Sequence, residues 1–150
     1  MNSNKRILAD FHCHSHYSDD CNTSPEKLAA AAVRRRLGCI ALTDHNTMAG
    51  VKELQALAPF RVIPVEEIRT PYGEIIGLFL QEEIPRGVSP RETCERIKEQ
   101  GGLVVVPHPF DLVRRNHLGE DFLDSILPLV DAIEVMNARV IVPSHNDRAR

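Results

Sequence analysis

The chain has 150 residues, 43% hydrophobic and 26% charged, a balance that suits one folded domain spanning 1–150 and excludes a disordered polyampholyte. A formal net charge of −3 argues against a general electrostatic grip on nucleic-acid backbones, so phosphate binding would fall to local basic groups. The longest apolar runs are far short of a membrane span.

Taken in order, residues 7–11 (ILADF) predict a strand, and a helix follows from about Ser24, where SPEK offers an N-cap, a proline at N1 and an early glutamate. Gly38 is read as the end of that helix, with Arg34, Arg35 and Arg36 as its solvated terminus. CIALTD at 39–44 is the next strand, VKELQALA at 51–58 the next helix, stopped by Pro59, and RVIPVEEI at 61–68 another strand. PYG at 71–73 signals a turn, from which EIIGLFL at 74–80 returns as a hairpin partner or an added strand.

A helix is expected from about Pro90 to Gln100, closed by Gly101 and Gly102. LVVVP at 103–107 reads as a strand buried on both faces; a short helix near 120–129 leads to AIEVMN at 132–137. This alternation predicts βαβ units and a mostly parallel sheet, open or closed into a barrel. The last residues, SHNDRAR, read as the opening of a helix, so the domain is expected to be incomplete at its C-terminal end.

Residues two apart on a strand share a face, so His12 and His14 can offer two imidazoles to one ion. A bare His-x-His pair has the bland alternative of two half-exposed histidines. Later strands, however, also end in candidate ligands: Asp44 and His45, Glu66 and Glu67, and His108. In α/β sheets and barrels the carboxyl ends of strands share one rim, where ligands bind.

DFHCHSHYSDD, LTDHNT, VEEI and VVVPHPFD together resemble the successive motifs of the polymerase and histidinol phosphatase (PHP) superfamily, in order, spacing and local sequence. The resemblance implies a distorted (β/α)7 barrel, here stopping before its last strand, whose C-terminal rim holds two or three divalent ions. By the same resemblance His12, His14, Asp19, His45, Glu67 and His108 are metal ligands, Asp44 orients the His45 motif, and Arg114 meets substrate phosphate, with Arg115 and Arg69 as competitors. Glu66 is expected to face solvent or support the site. Glu74 stands near a position where some relatives carry a histidine, and could replace it or be a solvated strand end. Relatives also carry a late Asp-x-His pair that nothing after Asn146 supplies, while Glu134 and Asn137 fall on the expected rim with no role assigned. His16, His117 and His145 are read as exposed loop histidines.

A mixed histidine and carboxylate set suits Zn²⁺, Mn²⁺ or Fe²⁺. Such ions lower the pKa of bound water toward neutrality and clamp phosphate oxygens. The implied activity is hydrolysis of phosphomonoesters through a metal-activated hydroxide, on a phosphorylated small molecule, a nucleotide or a short oligonucleotide end. The alternatives are a histidinol-phosphatase-like enzyme and a non-catalytic metal-binding module or fragment. The four cysteines form no CxxC pair, and the polar start MNSNKR is no secretory signal, so reduced thiols and a cytoplasmic location are expected.

Overall fold

Strand β1 (Leu8–Cys13) pairs in parallel with β2 (Leu37–Leu42), and β2 with β3 (Arg61–Ile63), in a computed structural model that describes residues 6–111, 118 and 120–149. Helices α1 (Pro25–Arg34) and α2 (Ala49–Leu57) connect them, as the alternating apolar runs predict. A second sheet has the order β4-β5-β6-β7. Its β4 (Val65–Thr70) and β5 (Gly73–Leu78) form an antiparallel hairpin, β5 runs antiparallel to β6 (Leu103–Val106), and β6 parallel to β7 (Ala132–Ile133). Helices α3 (Pro90–Glu99), α4 (Glu120–Ile126) and α5 (Pro143–Arg148), with a 3-10 turn at Leu127–Leu129, complete the described elements.

The α/β class is observed. No closed barrel forms among the described residues, where β1 and β7 are edge strands of separate sheets. The sheets meet instead at a parallel bridge between His45 and Glu67.

Three sequence expectations are corrected. The strand expected over 61–68 is two strands in different sheets, because Pro64 has no N–H to continue the ladder; its carbonyl accepts from the Phe79 and Leu80 amides instead. Helix α1 ends before Gly38, with Arg36 taking the left-handed conformation at φ 56°, and Gly38 lies inside β2. Glu66, expected at the surface or supporting the site, is fully buried, and its Oε2 accepts the Ile84 amide at 2.8 Å. Strand alternation turns it away from its neighbour Glu67.

One apolar cluster underlies both sheets and includes Leu42, Leu54, Ile68, Ile75, Ile97 and Val104, all with no solvent exposure. Helix α3 starts where Ser89 accepts the Glu92 amide at 3.2 Å. Truncating a side chain such as Leu54 to alanine costs about 2–5 kcal/mol in cores of this kind. The core therefore makes a firm base for the rim above it.

Candidate metal centre

The rim gathers side chains from five elements around Glu67, which projects from β4. His12 comes from the end of β1, His14 from just beyond it, His45 from just beyond β2, and His108 from just beyond β6. Because β5 runs antiparallel, its first residues lie at this same rim, and Glu74 enters the site there. Glu67 Oε2 lies 3.4 Å from His12 Nε2, 3.3 Å from His14 Nε2 and 3.4 Å from His45 Nδ1; its Oε1 lies 3.4 Å from His108 Nε2. Glu74 is 3.6 Å from both His45 Nδ1 and His108 Nε2. The side chain that β5 offers the site is thus a carboxylate rather than a histidine.

Two of the histidines are oriented by groups behind them. The Ser18 hydroxyl donates to Asp44 Oδ1 at 3.1 Å, accepts the His45 amide at 2.9 Å and lies 3.0 Å from His14 Nδ1. With its single proton spent on Asp44, Ser18 must accept from His14 Nδ1–H, which leaves His14 Nε2 bare toward Glu67. Among the described residues no hydrogen bond joins Asp44 to an imidazole: it also accepts from the Ser15 amide and hydroxyl, both at 2.6 Å. On the opposite side, His12 Nδ1 lies 3.1 Å from Glu134 Oε1, and Glu134 Oε2 accepts the His108 amide at 2.8 Å. A histidine whose rear nitrogen meets a carboxylate presents its front nitrogen in the metal-binding tautomer.

The acidic pair after β1 divides. Asp19 is exposed and held bidentately by Arg69 at 2.6 and 2.8 Å, whereas Asp20 Oδ1 lies 3.9 Å from both His14 and His45. Arg69 also donates to Glu74 at 3.3 Å, so it serves carboxylates of the rim. His16 is exposed, as expected, with its ring tilted by 31° against that of Tyr17 at 4.6 Å. His145, expected to be exposed, is instead partly buried, 3.6 Å from Asp111. Arg114, Arg115 and His117 lie outside the described residues.

Electrostatics follow from this crowding. Burial works against a charge on His12, but its contact with Glu134 and the nearby Glu67 carboxylate outweigh it and push its pKa up to about 10. Burial pulls His14 down to about 4, against the opposing pull of Glu67. Burial also opposes charge on Glu67, yet His108 and His12 hold it well below the usual carboxylate range. The cluster thus keeps Glu67 and Glu134 ionised and favours an added positive charge on His12.

Whether divalent ions fit can be judged from unsatisfied atoms. Both oxygens of Glu67, His45 Nδ1 and His108 Nε2 are buried without a hydrogen-bond partner among the described residues. Such atoms are costly and rare unless an ion or water meets them. His12, Glu67 and His108 bring donor atoms within 4.8 Å of one another, as do His14, His45 and Glu67, and as do Asp19, Asp20 and His45. Nitrogen and carboxylate donors in these sets suit zinc, manganese or iron. The residues fit such ions, with Glu67 common to the first two sets.

Sequence reasoning did not find Ser18, and it left Glu134 and Glu74 without settled roles. The sequence signal for Glu134 is its place on the expected rim, within AIEVMN at 132–137.

Residues 10–81 match the family model of the PHP domain. The chain belongs to the PHP domain family. This PHP domain is 41% identical over 145 residues to an uncharacterized protein of Methanocaldococcus jannaschii, covering 88% of this chain and 82% of that one. Its fold is similar to a two-domain protein from Bacteroides vulgatus containing a predicted PHP-like metal-dependent phosphoesterase, with TM-score 0.71 and 21% identity. That match covers 86% of this chain but only 44% of the other, so the chain spans less than half of that protein. A protein of Bifidobacterium adolescentis for which metal-dependent phosphoesterase activity is likewise predicted superposes with TM-score 0.77 at 17% identity, over 97% of this chain and 82% of that one. No helix among the described residues is long and apolar enough to cross a membrane.

Proposed function

We propose that this PHP domain is a metal-dependent phosphoesterase that hydrolyses phosphomonoesters, on a nucleotide or a short oligonucleotide end. The observation that carries the reading is Glu67, a buried carboxylate with both oxygens unpaired and shared by two sets of nitrogen donors. His12 and His108 would hold one ion with it, His14 and His45 another; the third set, of Asp19, Asp20 and His45, has room for one more. Divalent ions bound there would make water nucleophilic near neutral pH and offset phosphate charge. We read the two sheets as adjoining walls of the family's distorted barrel, joined at the His45–Glu67 bridge.

The residues around the cluster divide the remaining work. Ser18 and Glu134 fix the imidazole tautomers, and Asp44 fixes Ser18. A cleft of about 720 Å³ opens beside His12, His14 and Asp20, within the size range of small-ligand sites. Arg35 and Arg139 line it, as do Phe11 and Met136, so it offers cations for phosphate oxygens and apolar surface for the esterified group. Arg114, six residues after His108 in sequence, is assigned to the scissile phosphate on the family pattern.

Elemental analysis and turnover of nucleotide monophosphates test the reading together. The protein purified with manganese should carry about two ions per chain. Replacing His12 and His14 together with alanine should remove both the metal and the turnover. Undiminished phosphatase activity in that double variant would overturn the proposal.

A further inference from the structure

We infer that Asn146, on helix α5, is a positioning residue for the metal centre, acting through Asn137 on Glu134. The inference rests on the metal-binding reading above and adds to it a residue that touches neither the cluster nor the cleft.

The chain of contacts is continuous. Asn146 Oδ1 accepts the Asn137 amide at 3.0 Å, and Asn146 Nδ2 donates to the Asn137 carbonyl at 3.2 Å. Asn137 Nδ2 in turn donates to both oxygens of Glu134, at 3.2 and 3.1 Å, while its Oδ1 accepts the Arg139 amide at 2.9 Å. Backbone partners on each side fix which end of each amide is oxygen. Glu134 then has one oxygen on His12 Nδ1 and the other on the His108 amide. Two expected ligands from different strands therefore share one carboxylate, and that carboxylate is aimed by Asn137.

His108 makes the dependence sharper. Its φ of 28° is a sparsely populated conformation for a residue with a side chain, and such strain persists only where neighbours over-determine it. Its amide is held by Glu134, and its carbonyl accepts the Asp111 amide at 3.1 Å. Helix α5 reaches that loop too, through His145 beside Asp111 and through the Arg148 guanidinium 4.8 Å over the Phe110 ring. Among the described residues, docking of α5 thus bears on the site through these contacts, and the Asn146 route passes through Glu134.

Asparagine suits this task because its side chain offers an acceptor and a donor together, matching the N–H and C=O of one residue. An aspartate would keep the first bond and lose the second.

The test uses the whole chain and two readouts: hydrogen exchange of the His108 amide in metal-free protein, and manganese affinity by calorimetry. N146A should speed His108 exchange and weaken manganese binding, each by about tenfold, the lower end of what outer partners of metal ligands contribute. N146D should fall between N146A and the parent. N137A should do at least as much as N146A, and the double variant no more than N137A alone, since links in series do not add. R148A, which removes the contact of α5 with Phe110 and keeps every Asn146 bond, should change both readouts clearly less than N146A. Unchanged readouts in N146A, additive losses in the double variant, or equal losses in R148A would each overturn the inference. If the parent protein binds no manganese, the metal reading fails, while the exchange measurement still decides whether Asn146 positions Glu134.

Discussion

Ser18 donates its hydroxyl proton to Asp44 across 3.1 Å, and this one bond dictates the protonation pattern around His14. The hydroxyl has only lone pairs left for the His45 amide and for His14 Nδ1, so the imidazole must supply the proton between them. Replacing Ser18 with alanine strands two buried donors, at about 1–3 kcal/mol each, and frees His14 to take the wrong tautomer. Metal affinity should fall by about 10- to 100-fold. Calorimetric titration with zinc checks this; an S18A protein that binds zinc as tightly as the parent would show that His14 needs no such support.

Gly50, in the first turn of α2, lies where a side chain would strike the same network. A Cβ there would stand 2.3 Å from Asp44 Oδ2 and 2.9 Å from Ser15 Oγ. Alanine ordinarily gains about 1 kcal/mol over glycine inside a helix. Here the displacement of Asp44 should outweigh that gain, giving a net loss of about 1–3 kcal/mol together with weaker metal binding. Urea denaturation of G50A with chelator present measures the first effect. A more stable G50A protein would mean that Asp44 can move aside freely.

The metal-free protein should be most stable near pH 6.5. His12 has its pKa raised from 6.5 to about 10 on folding, so its stabilising contribution is complete below 6.5 and is lost as pH climbs toward 10. His14 is lowered from 6.5 to about 4, so its folded environment increasingly opposes folding as pH falls through that interval. Bound metal takes the place of the His12 proton, which should flatten the alkaline limb. Denaturation midpoints across pH 4–10, with chelator and with manganese, check this; an alkaline limb unchanged by metal would place the ion away from His12.

The sequence by itself determined the strand-helix alternation and the convergence of histidines. His12, His14, His45, Glu67 and His108 each sit in or just past a short apolar run, and strand ends that share a rim must bring such residues together whatever the details of closure. Local signals also placed α3, since an early proline and a terminal glycine each act on the residues beside them. What lay beyond local reach was decided by contacts between segments remote in the chain. Glu134 meets His12 from 122 residues away, and no spacing rule connects them. Which of Asp19 and Asp20 turns inward depends on Arg69, which holds Asp19, and Arg139, which holds Asp20. Glu66 and Glu67 are adjacent and chemically identical, yet the β4 pleat buries one against the Ile84 amide and turns the other toward four imidazoles. Strand periodicity requires that the two differ, but only the tertiary structure decides which of the faces meets histidines.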